Sequence, residues 1–315
     1  MTDHEQLIEL HSDDLHLALA PLGARVHRLR ARDGGGAWRD VVLGLPRVAD
    51  HLDDDRYLGS TVGRHANRVA RGELVVDGTT HQLPTNDRGH TLHGGPDGFD
   101  RRTWTVVASG PTSAELELVS PDGDQGFPGT VTVRARFEVR DRTLRTSYAA
   151  TTDAPTVVSL SSHAYYRLGG ETAADHELTL HADAYLPVTD GVPTGEVADV
   201  AGTRFDLRSG GRPGDLDHPF VVRGCESGWS PGGPLREVAR LRGHGLVLEL
   251  AADQPGVQVY TAGAFDRPPH APYAGIAIEP QLHPDTPHHP EWPSAVLRPG
   301  ETYRWTSEVT ITPDR

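Results

Sequence analysis

The chain has 315 residues, with 44 acidic against 30 basic side chains and a formal charge of −14, and no run of five basic residues offsets that charge. Such a surface repels polyanions, so neither nucleic acid nor an anionic membrane is expected as a partner. Hydrophobic residues make up 36% of the chain beside 35 Gly and 25 Pro, a composition that can bury a core and argues against a mostly helical fold.

Strand signals recur in chain order. Leu15, Leu17 and Leu19 alternate with other residues near the start, and Leu116 and Leu118 repeat the rhythm. The turn cluster SPDGDQGFPG, 120–129, follows. In VTVRARFEV, Val131, Val133, Ala135, Phe137 and Val139 alternate with polar residues, the two-residue period of a half-buried strand. Leu178 and Leu180 continue the pattern, then a second turn cluster, RSGGRPGD, covers 208–215. The stretch 234–241 fits either a helical turn or a strand. Leu246, Leu248 and Leu250, then Ile276 and Ile278, and last Val309 and Ile311 complete the series. Many short strands without alternating helices predict an all-β antiparallel sandwich, read as a single domain over 1–315. The apolar stretches are too short to cross a bilayer, and MTDHEQLIEL lacks the basic start and apolar segment of a secretion signal. One cysteine, Cys225, excludes an internal disulfide framework and suits a reducing cytoplasm, the expected location.

Several segments carry side chains suited to chemistry. In TLHGGPDGFDRRTW, 91–104, His93 is followed by two glycines that allow close approach of backbone or ligand. YLGSTVGRHANRVARGEL, 57–74, holds Asn67 and Arg68; TDAPTVVSLSSHAYYRLGG, 152–170, holds His163. Asp217 stands in LDHPFVV and Gln258 in PGVQVYTAG, while Glu279 ends the apolar alternation of IAIEPQ, a rigid mount with an exposed tip. His283, Asp285, His288 and His289 have metal-ligand chemistry, but Pro284, Pro287 and Pro290 argue against a helix that would gather them on one face. No metal site is expected. No phosphate loop, dinucleotide fingerprint or serine nucleophile elbow is present, so no cofactor is expected either.

In this order, from about Gly23 to the C-terminus, the segments resemble the aldose 1-epimerase (galactose mutarotase) family. The resemblance implies the large twisted β-sandwich of that family, and an isomerase that interconverts the α and β anomers of a free aldose through the open chain. It implies that Glu279 is the catalytic base at the anomeric hydroxyl, that His163 is the acid at the ring oxygen, and that His93 hydrogen-bonds the ring. It also assigns substrate binding to Arg68, Asn67, Asp217 and Gln258, whereas Trp104 and Phe99 are expected in the core. A carboxylate and an imidazole suit these proton transfers near neutral pH. The pH profile is expected to be bell-shaped, with the acidic limb from the carboxylate and the basic limb from the imidazolium. Departures from the family pattern are Ser159 and Ser162 in place of asparagines, Arg167 in place of asparagine, and a shortened stretch between Phe205 and Asp217 with Asp215 before the Asp-His pair. They leave open two other readings: the same acid and base acting on a different ring compound, or a sandwich that binds sugar without turning it over.

Overall fold

The computed structural model describes residues 6–225 and 229–314, so the outermost ends of the expected 1–315 domain lie outside the described residues. Its largest sheet has eight antiparallel strands in the spatial order Thr105–Ser109, Ser113–Ser120, Val131–Arg140, Thr143–Thr152, Tyr303–Pro313, Leu246–Ala252, Arg236–Gly243 and Glu177–Leu180. The alternation read from the sequence decides which face turns inward. Val131, Val133, Ala135, Phe137 and Val139 are buried, whereas Arg134, Arg136 and Arg140 stay in solvent. On that outer face Arg134 meets Glu115 and Glu117 across the strands, a screened pairing suited to a solvated surface.

A six-stranded sheet lies behind it, ordered Tyr165–Tyr166, Ile276–Gln281, Gly256–Tyr260, Asp217–Val222, Ala182–Tyr185 and Ala198–Asp199. A four-stranded N-terminal sheet, from Ile8–His11 to Trp38–Asp40, supplies a third surface. One apolar cluster joins them: Leu15, Leu17 and Leu19 from the N-terminal sheet, Phe137, Leu248 and Trp305 from the largest, Ile276, Ile278 and Val259 from the six-stranded one. Phe99 and Trp104 belong to this core, edge to face with centroids 6.0 Å apart. The ambiguous 234–241 stretch contains the start of a strand, Arg236–Gly243. Among the described residues no helix is long and apolar enough to cross a membrane.

The strand Ile276–Gln281 is buried on both faces, which sets up the site. Ile276 and Ile278 enter the main core, while Ala277 on the opposite face joins a separate cluster with Leu43, Tyr165 and Phe265. Side chains alternate along a strand, so Glu279 points the same way as Ala277, away from the main core.

Candidate active site

Strand register gathers one wall of a pocket. Glu279 is the direct cross-strand partner of Gln258, and Tyr260, two residues further on, is the partner of Asp217. The two-residue period puts Glu279, Gln258 and Tyr260 on one sheet face, and all of them line the same cavity with Asp217. Gln258 Nε2 donates to Asp217 Oδ1 at 2.7 Å, which fixes one oxygen of Asp217. Glu279 is 1% exposed, and its Oε2 has no hydrogen-bond partner among the described residues. A buried carboxylate oxygen without a partner is costly, and a ligand hydroxyl would satisfy it.

The facing wall is made of loops that the backbone holds tightly. His163 follows the short strand Ser161–Ser162 and is braced by its own backbone: its N–H donates to Ser60 O at 2.8 Å and its carbonyl accepts from Gly59 N–H at 3.0 Å. His93 and Asn67 lock each other. His93 N–H donates to Asn67 O, and Asn67 N–H donates to His93 Nδ1, both at 3.1 Å. Both residues have left-handed backbone, φ 51° and 62° respectively. The glycine after His93 is required by packing, since a Cβ on Gly94 would stand 2.0 Å from Gly63 O. Arg68 lies on the strand Arg68–Val69, paired with Thr91–Leu92, so the arginine and His93 are carried by adjoining segments. The rings of His93 and His163 stand edge to face at 5.0 Å, and Tyr57 lies 4.5 Å from the first and 5.7 Å from the second.

The cavity between these walls holds about 300 Å³, the scale of a small-molecule site. Every residue assigned to the site in the sequence lines it: Glu279, His163, His93, Arg68, Asn67, Asp217 and Gln258. Asn67 differs in detail, because its side-chain oxygen accepts Arg68 N–H at 2.8 Å and its backbone amide serves His93. Among the further lining groups are Tyr57 and Asp87, which sequence reasoning missed, and Tyr165. Tyr57 and Tyr165 sit in quoted motifs, and Asp87 precedes an Arg-Gly turn, but none of these signals names a pocket residue.

His163 Nε2 lies 3.4 Å from Glu279 Oε2. Burial pushes the Glu279 carboxyl well above its usual range; Asp217 adds to the effect and Arg68 opposes it. Burial also pulls the His163 imidazole down to about 3, and holds His93 well below the ordinary histidine value. Both partners of the close pair are thus driven by desolvation toward their neutral forms. These directions run opposite to the expected assignment of the pH limbs, because desolvation penalises either charge.

One nitrogen each from His93 and His163 and one oxygen from Glu279 lie within 4.8 Å of one another, a spacing that could hold a metal ion. The tautomer argues otherwise. Asn67 N–H occupies the lone pair of His93 Nδ1, so the neutral ring carries its proton on Nε2. To ligate through Nε2, His93 would have to break that bond or lose its one ring proton. The donor set fits an ion by distance and not by protonation. The histidine-rich loop instead supports the site from behind. Asp285 N–H donates to Arg68 O at 2.9 Å, and Asp285 Oδ1 accepts from Ala70 N–H at 2.8 Å and faces His288 Nδ1 at 2.6 Å. Asp285 thereby clamps the strand that carries Arg68, and His289 stacks on Trp292 at 3.9 Å with its Nδ1 2.9 Å from Glu291 Oε1.

Of the departures from the family pattern, Ser159 and Ser162 lie outside the cavity lining. Ser159 is fully buried with no hydrogen-bond partner for its hydroxyl among the described residues, and the hydroxyl of Ser162 bonds to Tyr148, so neither braces the His163 ring. The backbone bonds at Ser60 and Gly59 hold that segment in place.

Residues 6–310 match the aldose 1-epimerase family. The chain is 36% identical to a galactose mutarotase of Bos taurus, covering 95% of this chain and 92% of that one, and 32% identical to an aldose 1-epimerase of Escherichia coli K12, covering 93% and 90%. Among solved structures, an aldose epimerase homologue from C. elegans superposes with a TM-score of 0.91 at 31% identity, over 99% of this chain and 100% of that one. A galactose 1-epimerase from Lactobacillus acidophilus gives 0.86 at 28%, over 100% and 97%. A match along nearly the whole chain, with the large β-sandwich and the pocket just described, leads to one assignment: the chain belongs to the aldose 1-epimerase family.

Proposed function

We propose that this protein interconverts the α and β anomers of a free aldose, with Glu279 as base, His163 as acid and no cofactor. The observation that carries the reading is the opposition of Glu279 and His163 across one cavity that also holds Arg68 and Asp217. A non-catalytic binder has no use for a buried, unpartnered carboxylate beside an imidazole. Relatives named for galactose and for aldoses in general support a simple sugar as the substrate.

In the proposed reaction the anomeric hydroxyl donates to Glu279 Oε2, while the ring oxygen faces His163 Nε2. These contacts stabilise the carboxylate and the imidazolium, so binding itself shifts a proton from Glu279 to His163. Glu279 then takes the hydroxyl proton as the C1–O5 bond breaks and His163 protonates O5, giving the open-chain aldehyde. Rotation about C1–C2 and closure on the other face return both protons. His93, held by Asn67 with its proton on Nε2, donates a hydrogen bond to the ring throughout. Arg68, Asp217 and Gln258 hold the remaining hydroxyls.

The proposal includes a single domain over the whole chain, supported by the continuous core across the three larger sheets, and a cytoplasmic site of action, supported by the lone, buried Cys225. Polarimetry of freshly dissolved α-glucose and α-galactose tests the function. The expected result is faster approach to the equilibrium rotation; a folded protein that leaves both rates at the buffer value would overturn it.

A further inference from the structure

Arg68 does not stand alone in the pocket. Its Nε donates to Asp87 Oδ2 at 2.8 Å and its Nη1 reaches Gly191 O at 3.4 Å, leaving the outer edge of the guanidinium for a ligand. The arginine side chain is 9% exposed and Asp87 is 26% exposed, and both line the cavity. Asp87 is itself held rigidly. Its N–H and carbonyl both bond to His90 around Arg88 and Gly89, which have φ 48° and 80°, the left-handed pair of a tight two-residue turn. Asn86 closes the same turn on both polar atoms of the Leu92 backbone, just ahead of His93. The opposite side of Arg68 is equally confined, since a Cβ on Gly191 would stand 2.7 Å from the guanidinium carbon.

We propose that Asp87 determines sugar specificity together with Arg68: it fixes the guanidinium through one carboxylate oxygen and offers the other, Oδ1, as an acceptor to the same sugar hydroxyl that Arg68 donates to. A hydroxyl is both donor and acceptor, so a site that presents both complements rejects an analogue lacking that hydroxyl more strongly than an arginine alone. The pocket then has two carboxylates of matched design. Asp217 commits Oδ1 to Gln258 and Asp87 commits Oδ2 to Arg68, and each keeps one oxygen for the ligand.

This inference rests on the sugar-isomerase reading, and the experiment separates the two. Mutarotation kinetics and direct sugar binding by ligand-observed NMR are measured for the wild type, Asp87→Asn, Asp87→Ala, Arg68→Ala and the Arg68→Ala/Asp87→Ala double variant, against glucose, galactose and their singly deoxygenated analogues. Asp87→Ala is expected to raise KM about tenfold with kcat within about twofold, and the double variant is expected to match Arg68→Ala. Asp87→Asn retains an acceptor for Arg68 Nε and guards against a folding artefact. It is expected to erase the wild-type discrimination against one deoxygenated position while discrimination at the others persists. Additive effects in the double variant, or unchanged KM and discrimination in an active enzyme, would overturn the role of Asp87 alone. A wild type that neither binds nor isomerises any of these sugars would overturn the sugar reading and this inference with it.

Discussion

His163 Nε2 stands 3.4 Å from Glu279 Oε2, with both side chains almost wholly buried at the floor of one cavity. At that separation and burial the two groups titrate as a pair. With two protons the pair is cationic, with one it is neutral, and with none it is anionic. The reactive state carries one proton.

The sign of the pH dependence follows. Burial pulls the His163 imidazole down to about 3, so the acidic limb of kcat/KM is expected to report His163 and to lie below the ordinary histidine range. Burial raises the Glu279 carboxyl, so the basic limb is expected to report Glu279. Titration followed by ¹⁵N NMR in the free enzyme is expected to show a neutral His163 ring at pH 5. A protonated ring at that pH would restore the reverse order.

Removing either group abolishes one half of a concerted exchange. His163→Asn is expected to lower kcat by about 10²–10⁴-fold, with the remaining activity losing its acidic limb. Combined with Glu279→Gln it is expected to be little worse than either change alone, because groups that act as a unit are not additive. A double variant showing the product of the single losses would contradict this coupling.

Arg68→Ala is expected to raise KM and leave kcat nearly unchanged, at a cost of about 1–3 kcal/mol in substrate binding for the lost charged donor. Steady-state polarimetry over a range of sugar concentrations separates the two parameters. A fall confined to kcat would move Arg68 from binding to chemistry.

Asp285→Ala removes the acceptor for Ala70 N–H behind the Arg68 strand. It is expected to destabilise the fold by about 1–3 kcal/mol, read by urea denaturation, and to weaken sugar binding through the displaced strand. Unchanged stability would show that Asp285 does not hold the Arg68 strand in place.

A chelator is expected to leave the rate unchanged, since His93 carries its proton on the nitrogen that a metal would need. Loss of activity with chelation, restored by zinc, would make the His93, His163 and Glu279 cluster a metal centre.

Much of the sandwich was legible because half-buried strands write their facing into the sequence, as in 131–139, where each alternate residue is buried. The 234–241 stretch resisted reading for a visible reason: the register slips between Glu237 and Ala239, so Val238 and Ala239 are both buried and the two-residue period is broken. The site is another matter. Glu279 and Gln258 become neighbours through cross-strand pairing that no local pattern encodes, and only the family resemblance named them together. Asp87 escaped both routes, because its value depends on a turn folding back against Arg68. The direction in which His163 and Glu279 shift also lay beyond the sequence, since it depends on how completely the fold strips water from both.

The most direct test is the mutarotation rate of Glu279→Gln, a variant that keeps the shape of the side chain but cannot take up the anomeric proton. Turnover of α-galactose, followed by polarimetry, is expected to fall by about 10²–10⁴-fold while sugar binding seen by NMR is retained. Near-wild-type turnover in a folded Glu279→Gln protein would contradict the assignment of Glu279 as the base.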